Sequence, residues 1–431
     1  MKTNQNSDRR SFLRVSTAGA VAASIGGAVS EVKGGYHHGV DDKLRIGLVG
    51  CGGRGTQAVF NALKADPNTE VTALADAFED RVQICYENLQ GNPVADGRVN
   101  ISKDRMFVGF GCCDQLIESG VDVVLLATPP YFRPAHLRAA VEAGKHVFCE
   151  KPVAVDPPGV RHVLESCEMA HEKGLSVVSG FCWRYDIGVN AVMSKILDEK
   201  AIGEIHTIQE NYLTGTLWHR GQKPEWSEME YQMRNWLYFN WLSGDHITEQ
   251  HIHSLDKALW LMEDKPPVKA YGSGGRLART DNKWGNIYDH FSTVFEWENG
   301  VKMFSFCRQM ANCMTDVDDY VFGTEGSAKV LRKRIYKDNE VTWKFPKQKT
   351  PSMYDVEHQH LFKSIRENQP INNGKYMSYS TMLAIMGREA SYTGKLIKWD
   401  DLMQSDQKLG PEKLEFGDFT PHPIAIPGTD F

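Results

Sequence analysis

The stretch Leu44-Arg45-Ile46-Gly47-Leu48-Val49-Gly50-Cys51-Gly52-Gly53-Arg54-Gly55 decides the fold. An apolar run of strand length ends in G-x-G-x-x-G, and residues 56–65 carry helical spacing. The glycine pattern alone is weak; a strand before it and a helix after it make it a dinucleotide fingerprint. Gly50 permits the tight turn, Gly52 lets the backbone approach a pyrophosphate, and Gly55 lets helix and strand pack closely. The helix start, with Gly53 and Arg54, faces the phosphates with unpaired N–H groups. Asp76 ends the next apolar run, about 20 residues on, where an acid accepts hydrogen bonds from the adenosine ribose. That favours NAD over NADP, because a carboxylate repels a 2′-phosphate. Arg81, one helical turn further, weakens the preference and leaves NADP open.

The alternation continues downstream. Strand patterns at 70–75, 121–127, 146–149 and 175–179 alternate with helical patterns at 79–89, 134–143 and 159–173. The run at 121–127 is almost wholly apolar, as suits a parallel strand covered on both faces. This order predicts an α/β fold with a doubly wound parallel Rossmann sheet over residues 43–180. Beyond Phe181 a helix at 190–199 leads into strands at 204–212, 268–271, 290–297, 301–308 and 319–322. One long helix at 248–262 interrupts them, and helices at 356–367 and 378–393 follow. A second, α+β domain with an open, mostly antiparallel sheet is therefore expected over 181–400, then a tail over 401–431 whose Pro-rich end runs along the surface.

Upstream, Arg9-Arg10-Ser11-Phe12-Leu13 precedes a Gly/Ala-rich apolar segment and a small-x-small site at Ala28-Val29-Ser30. This is the pattern of a twin-arginine signal over residues 1–30, followed by a polar linker at 31–42. It predicts export by the twin-arginine machinery, to the periplasm or beyond. That route carries folded proteins, so a tightly bound dinucleotide can be loaded before export and the thiols need not pair. The nine cysteines include no C-x-x-C pair and read as buried, reduced hydrophobes. The formal charge of −6 is dispersed, which argues against nucleic-acid binding. No apolar run approaches the roughly 20 residues of a membrane span.

Two further stretches carry chemistry. The first reads Ala127-Thr128-Pro129-Pro130, then His136, then Ala143-Gly144-Lys145-His146-Val147-Phe148-Cys149-Glu150-Lys151-Pro152. Lys151 stands beyond the C-terminal end of a parallel strand, where ligands bind in such sheets, and can hydrogen-bond a reacting hydroxyl. The second is 244–256, with Glu249, His251, His253 and Asp256. Spacings of four and three put Glu249, His253 and Asp256 on one face of the expected helix. His253 is suited to general acid/base work because imidazole titrates near neutral pH. His251 and His253 diverge on a helix, which argues against a shared metal. Trp218-His219-Arg220 and residues 236–241 place aromatics in the loops before this helix, where they can line a pocket.

Together with Tyr320-Val321-Phe322-Gly323-Thr324-Glu325-Gly326, these stretches resemble the Gfo/Idh/MocA (glucose–fructose oxidoreductase and inositol dehydrogenase) family, Glu-Lys-Pro being its most specific mark. The resemblance spans about residues 43–399. It implies a Rossmann domain plus an open-faced sheet used for homo-oligomer contacts, and a sugar or polyol substrate. It implies cofactor contacts from Thr128, Pro129, His136, Glu150, Lys151, Trp183 and Arg184, and a Lys151–Pro152 peptide that is often cis. It implies catalysis by Lys151 and His253 with Glu249, substrate contacts from Lys151, Tyr185, Glu249 and His253, and a structural role for Asp256; His251 stands where the family commonly has a small residue, and either a substrate contact or simple packing is open to it. Glu249 departs from the family's usual Asp.

Three functions remain open: an NAD(P)-dependent dehydrogenase of a sugar, glycoside or polyol; an NAD-dependent glycosidase working by transient oxidation, elimination and re-reduction; and an inactive binding protein. Asp76→Ala is expected to weaken discrimination between NAD and NADP. Unchanged relative affinities in a binding titration would remove Asp76 from the ribose site.

Overall fold

The computed structural model describes residues 42–429, and the signal segment expected at 1–30 lies outside the described residues. Strand β1 (Leu44–Val49) buries every side chain except Arg45, as its apolar run requires. It is the centre of a six-stranded parallel sheet with β2 (Thr69–Asp76), β3 (Met106–Val108), β4 (Val123–Leu126), β5 (His146–Cys149) and β6 (Val177–Ser179), in the order β3-β2-β1-β4-β5-β6. β3 goes unread in the sequence because three half-exposed residues carry no period. Helices Gly53–Ala65, Glu79–Gln90, Cys112–Glu118, Arg133–Glu142 and Pro157–Glu172 supply the crossovers.

The second sheet has nine strands: β7 (Ile205–Thr214), β8 (Lys269–Gly275), β9 (His290–Glu296), β10 (Lys302–Gln309), β11 (Asp316–Gly323), β12 (Ser327–Lys329), β13 (Arg334–Lys337), β14 (Glu340–Lys344) and β15 (Ile397–Lys398). Their order is β14-β13-β12-β11-β7-β10-β9-β8-β15. β7 and β10 pair in parallel, and the other pairs are antiparallel. One face is covered by helices Ile252–Leu261 and Gly374–Thr393. β12 to β15 were not expected, being short and poor in apolar alternation. Helix Met353–Arg366 returns to the first sheet, where Leu361, Phe362 and Ile365 join the core beneath helix Gly53–Ala65. The terminal stretch is mostly exposed from Pro421 onward, with Ala425 buried as an anchor.

The expected helix at 248–262 is not continuous. It breaks into His246–Glu249 and Ile252–Leu261, with Gln250 between them at a stretched φ of −115°, ψ −52°. The His253 N–H bonds the Gln250 carbonyl at 3.2 Å instead of the Glu249 carbonyl. The Gln250 side-chain oxygen accepts Gln309 Nε2 at 2.7 Å beside the break. All nine cysteines are free, and Cys313 alone among them is exposed.

Arg54 bolts the returning helix down. Its guanidinium bonds Glu150 Oε1 and, at 2.8 Å, Glu357 Oε1, and lies over the Tyr354 ring at 5.0 Å. Arg54→Ala strands two buried carboxylates and is expected to cost roughly 3 kcal/mol. The measurement is the urea midpoint at unchanged m-value, and a midpoint equal to the parent's would deny the bolt its role.

Candidate active site

Parallel order places the C-terminal ends of β1, β2 and β4 side by side, and the loops leaving them bound a cleft. Gly50 has φ 99°, and a Cβ there would meet the Ala127 carbonyl carbon at 2.6 Å. A Cβ at Gly55 would overlap the Gly50 carbonyl oxygen, whereas nothing lies within 4 Å of one at Gly52 or Gly53. The turn thus demands two glycines and leaves open space over the third and fourth. No side chain caps helix Gly53–Ala65 at Gly52, so its first N–H groups are free for a ligand. This cradle fits a dinucleotide pyrophosphate.

Asp76 Oδ2 accepts the Cys51 N–H at 2.8 Å and Oδ1 accepts the Phe78 N–H at 3.1 Å. Burial raises its pKa against those bonds. Thr128, Pro129 and His136 line the middle of the cleft. His136 Nδ1 lies 3.3 Å from Thr128 Oγ1, its ring stacks on Phe132, and burial beside Arg133 brings its pKa down to about 4. The outer wall comes from the other half of the chain, in Arg220, Met233, Arg234 and Trp236. The sequence pointed to 218–220 and 236–241 as pocket residues; the structure sets Arg220 and Trp236 on the dinucleotide cleft and buries Trp241.

Lys151 follows β5 across a cis peptide to Pro152, whose carbonyl accepts Arg133 Nη1 at 2.5 Å. The ammonium donates to the Glu249 carbonyl at 2.5 Å and lies 3.2 Å from Glu249 Oε1. The helix break leaves that carbonyl free for the lysine. His253, the second residue of the next helix, stands edge-on to Phe181 at 6.3 Å, and its Nδ1 has no hydrogen-bond partner. Burial, with Lys151 and Lys257 as neighbouring cations, holds its pKa well below the usual imidazole value. His253 is therefore neutral at neutral pH, a proton acceptor beside an ammonium. Lys257, not singled out by its sequence, donates to the His253 carbonyl at 2.7 Å and pairs with Asp319 at 3.3 Å.

Other expected residues are consumed elsewhere. The side chains of Arg54 and Glu150 face each other rather than the cleft, because Glu357 draws the guanidinium inward. Arg184 lies between Asp256 and Asp264 and over the Tyr376 ring at 4.0 Å, an internal ion-pair site rather than a cofactor contact. Asp256 also accepts Ser380 Oγ at 2.8 Å, as befits a structural acid. Tyr185 is buried under helix Met353–Arg366 with its hydroxyl donating to Asn373 at 3.0 Å. Trp183 is partly buried against the core shared by the two sheets, with the Lys257 ammonium 5.6 Å from its ring. His251 is fully buried, its Nε2 2.6 Å from Ser305 Oγ and its ring edge-on to Tyr212, so it packs rather than faces a ligand. Among the described residues, no three His, Cys, Asp or Glu side chains converge on a metal-binding geometry.

Residues 44–181 match the oxidoreductase family with an NAD-binding Rossmann fold, and residues 191–329 match the Gfo/Idh/MocA C-terminal domain. The chain belongs to the Gfo/Idh/MocA oxidoreductase family. It is 28% identical to a 2,7-anhydro-N-acetylneuraminate hydratase of Escherichia coli over 54% of this chain and 57% of the relative, so it spans little more than half of that protein. It is 25% identical to an inositol 2-dehydrogenase/D-chiro-inositol 3-dehydrogenase of Halalkalibacterium halodurans over 75% of this chain and 84% of the relative. Among solved structures, aldose-aldose oxidoreductase from Caulobacter crescentus, complexed with glycerol, superposes with TM-score 0.64 at 18% identity, covering 83% of this chain and 99% of that one. Scyllo-inositol dehydrogenase from Lactobacillus casei, solved with NAD(H) and scyllo-inositol, gives 0.62 at 18%, covering 83% and 100%. These two likenesses are of fold.

Removal of a neighbouring cation eases protonation, so the His253 imidazole is expected to titrate at higher pH in Lys151→Met than in the parent. NMR of carbon-labelled histidine follows it. An unshifted midpoint would mean that the ammonium does not act on the ring.

Proposed function

We propose that this protein is a nicotinamide-dependent oxidoreductase acting on a secondary alcohol of a sugar, glycoside or polyol. The observation that carries this reading is the Lys151 ammonium, held on Glu249 and acting on the His253 ring, at the C-terminal edge of a parallel sheet that also holds a dinucleotide cradle. The Gly50–Gly55 turn would hold the pyrophosphate, Asp76 the adenosine ribose, and Thr128, Pro129 and His136 the middle of the cofactor. Bound NAD supplies the hydride acceptor. Lys151 donates a hydrogen bond to the carbinol oxygen and stabilises the charge that develops there. His253 takes the hydroxyl proton. Glu249 holds the ammonium in place and keeps it from rotating out.

A redox-neutral cycle, in which the sugar is oxidised, an aglycone or internal ether eliminated, and the product hydrated and reduced again, is the second reading. It is favoured by the tail, which packs along one edge of the cofactor cleft. Phe416 of the tail packs on Phe110 at 4.7 Å and Phe78 at 5.8 Å, and Arg234 pairs with Asp80 across the same edge. A resident cofactor needs no exchange in such a cycle. The relative named as a hydratase accords with it. Export through the twin-arginine route would reward a resident cofactor too, and remains part of the proposal. The row Tyr271, Val294 and Phe304 across the open face of the second sheet is suited to a homo-oligomer contact.

Purified protein is expected to release nicotinamide dinucleotide on denaturation. Lys151→Ala and His253→Ala are each expected to retain it and to lose roughly 10² or more in turnover. A screen of sugars and glycosides with mass detection supplies the substrate. Keto product supports the dehydrogenase, and net hydrolysis or hydration at constant cofactor oxidation state supports the second reading. Parent-like turnover in both variants would place the chemistry on other residues.

A further inference from the structure

We propose that Glu210 and Asp319 share one proton, and that this acid pair, acting through Lys257, positions the helix that carries His253 and sets the charge around its ring. The proposal takes His253 as the proton acceptor of the site and so rests on that reading.

The register of the second sheet puts Ser305 of β10, Glu210 of β7 and Asp319 of β11 side by side, so their side chains leave the same face. That face lies against helix Ile252–Leu261. Ser305, Glu210, Asp319 and the facing Lys257 are all buried. A polar row between sheet and helix is costly unless its members satisfy one another. Ser305 Oγ lies 2.6 Å from His251 Nε2. Lys257 Nζ lies 3.3 Å from Asp319 Oδ2 and donates to the His253 carbonyl at 2.7 Å. The row therefore takes hold of both histidines, His251 by its ring and His253 by its backbone.

With both acids ionised, two carboxylates would face one ammonium in a contact closed to water. Asp318 brings no relief: it accepts the Asp319 and Leu331 N–H groups at 3.0 and 2.9 Å and lies 3.3 Å from Arg332. Counted as a carboxylate, Glu210 finds no hydrogen-bond donor for either oxygen among the described residues. Like charges directly opposed in a dry site do not both stay ionised. One proton between the pair supplies the missing hydrogen bond and leaves a single negative charge against Lys257. Burial, and then the neighbouring Asp319, push Glu210 well above the ordinary carboxylate range, so the proton sits on Glu210. The cluster is then neutral as a whole and Lys257 stays an ammonium. Burial does most to keep the His253 ring unprotonated, and the cations Lys151, Lys257 and Arg54 add to it.

The test uses the full-length protein as purified, with two readouts that need no substrate: the urea midpoint, and the His253 titration followed by NMR of carbon-labelled histidine. Glu210→Gln and Asp319→Asn are each expected to stay near the parent in both, because the remaining acid ionises against Lys257. The double variant Glu210→Gln/Asp319→Asn strands the ammonium. It is expected to lose far more of the urea midpoint than the two single losses together, or not to fold. Adding Lys257→Met removes the stranded charge and is expected to restore folding. Lys257→Met, alone or within this triple variant, is expected to raise the pH at which His253 titrates, since one cation fewer opposes protonation. Additive single losses, or a triple variant no better than the double, would overturn the shared proton. A His253 midpoint unmoved by Lys257→Met, or raised as much in the single acid variants by a loosened helix, would overturn the action on the ring. Either result leaves the hydride-transfer reading in place, because that reading is tested by the turnover of His253→Ala.

Discussion

The Lys151 ammonium joins the two halves of the site. It leaves the end of a parallel strand and reaches the carbonyl and carboxylate of Glu249, in the second half of the chain. That carbonyl is available because the backbone breaks at Gln250; in an unbroken helix the His253 N–H would occupy it. A half-buried ammonium is tolerable only when its donors are met, and here one carbonyl and one carboxylate meet them. The lysine is thereby held rigid beside His253, whose neutrality it helps to maintain. Remove the break and the lysine loses the carbonyl that holds it.

Around this contact, buried charge is used to fasten elements together. Arg54 ties the fingerprint helix to β5 and to helix Met353–Arg366. Arg184 ties the exit of the first sheet to the helix that bears His253. Lys257 ties that helix to β11. Pairs of this kind add little net stability, since desolvation offsets most of the attraction, but breaking one leaves a stranded charge. They therefore resist alternative packings of the two sheets more than they deepen the native well. The same economy explains why residues that look ligand-directed in the sequence face inward: an arginine near a cofactor motif is equally suited to an internal carboxylate.

The dinucleotide cleft is a joint product of distant segments. Its floor is the Gly50–Gly55 turn, its far wall is Arg220 to Trp236, and Phe416 of the tail closes the edge by packing on Phe78 and Phe110. The tail is held by the Met229 N–H on the Gly417 carbonyl and by Gln232 on the Phe419 carbonyl at 2.9 Å. Opening that edge means parting aromatic rings and backbone hydrogen bonds together, which favours a cofactor that stays.

Local chemistry was legible in the chain. The Gly50–Gly55 turn, Asp76 at the end of β2 and Lys151 after β5 each follow from residue type and short-range period, because a parallel βα unit imposes its own spacing. The strands β7 to β11 announced themselves by alternation, whereas β3 and β12 to β15 did not, being too short for a period to form. The unbroken helix over 248–262 was the reasonable reading of its pattern, since nothing local forbids it; the partners met at the break, Gln309 and Lys151, are distant in sequence. Likewise Arg54, Arg184 and Tyr185 carry the right chemistry for a ligand, and only their partners at Glu357, Asp256 and Asn373 decide otherwise. The sequence by itself determined which backbone could cradle a phosphate, because steric demands on glycine are local. The tertiary structure alone decided which side chains remained free to use that cradle, because a charge goes to whichever partner the fold brings within reach.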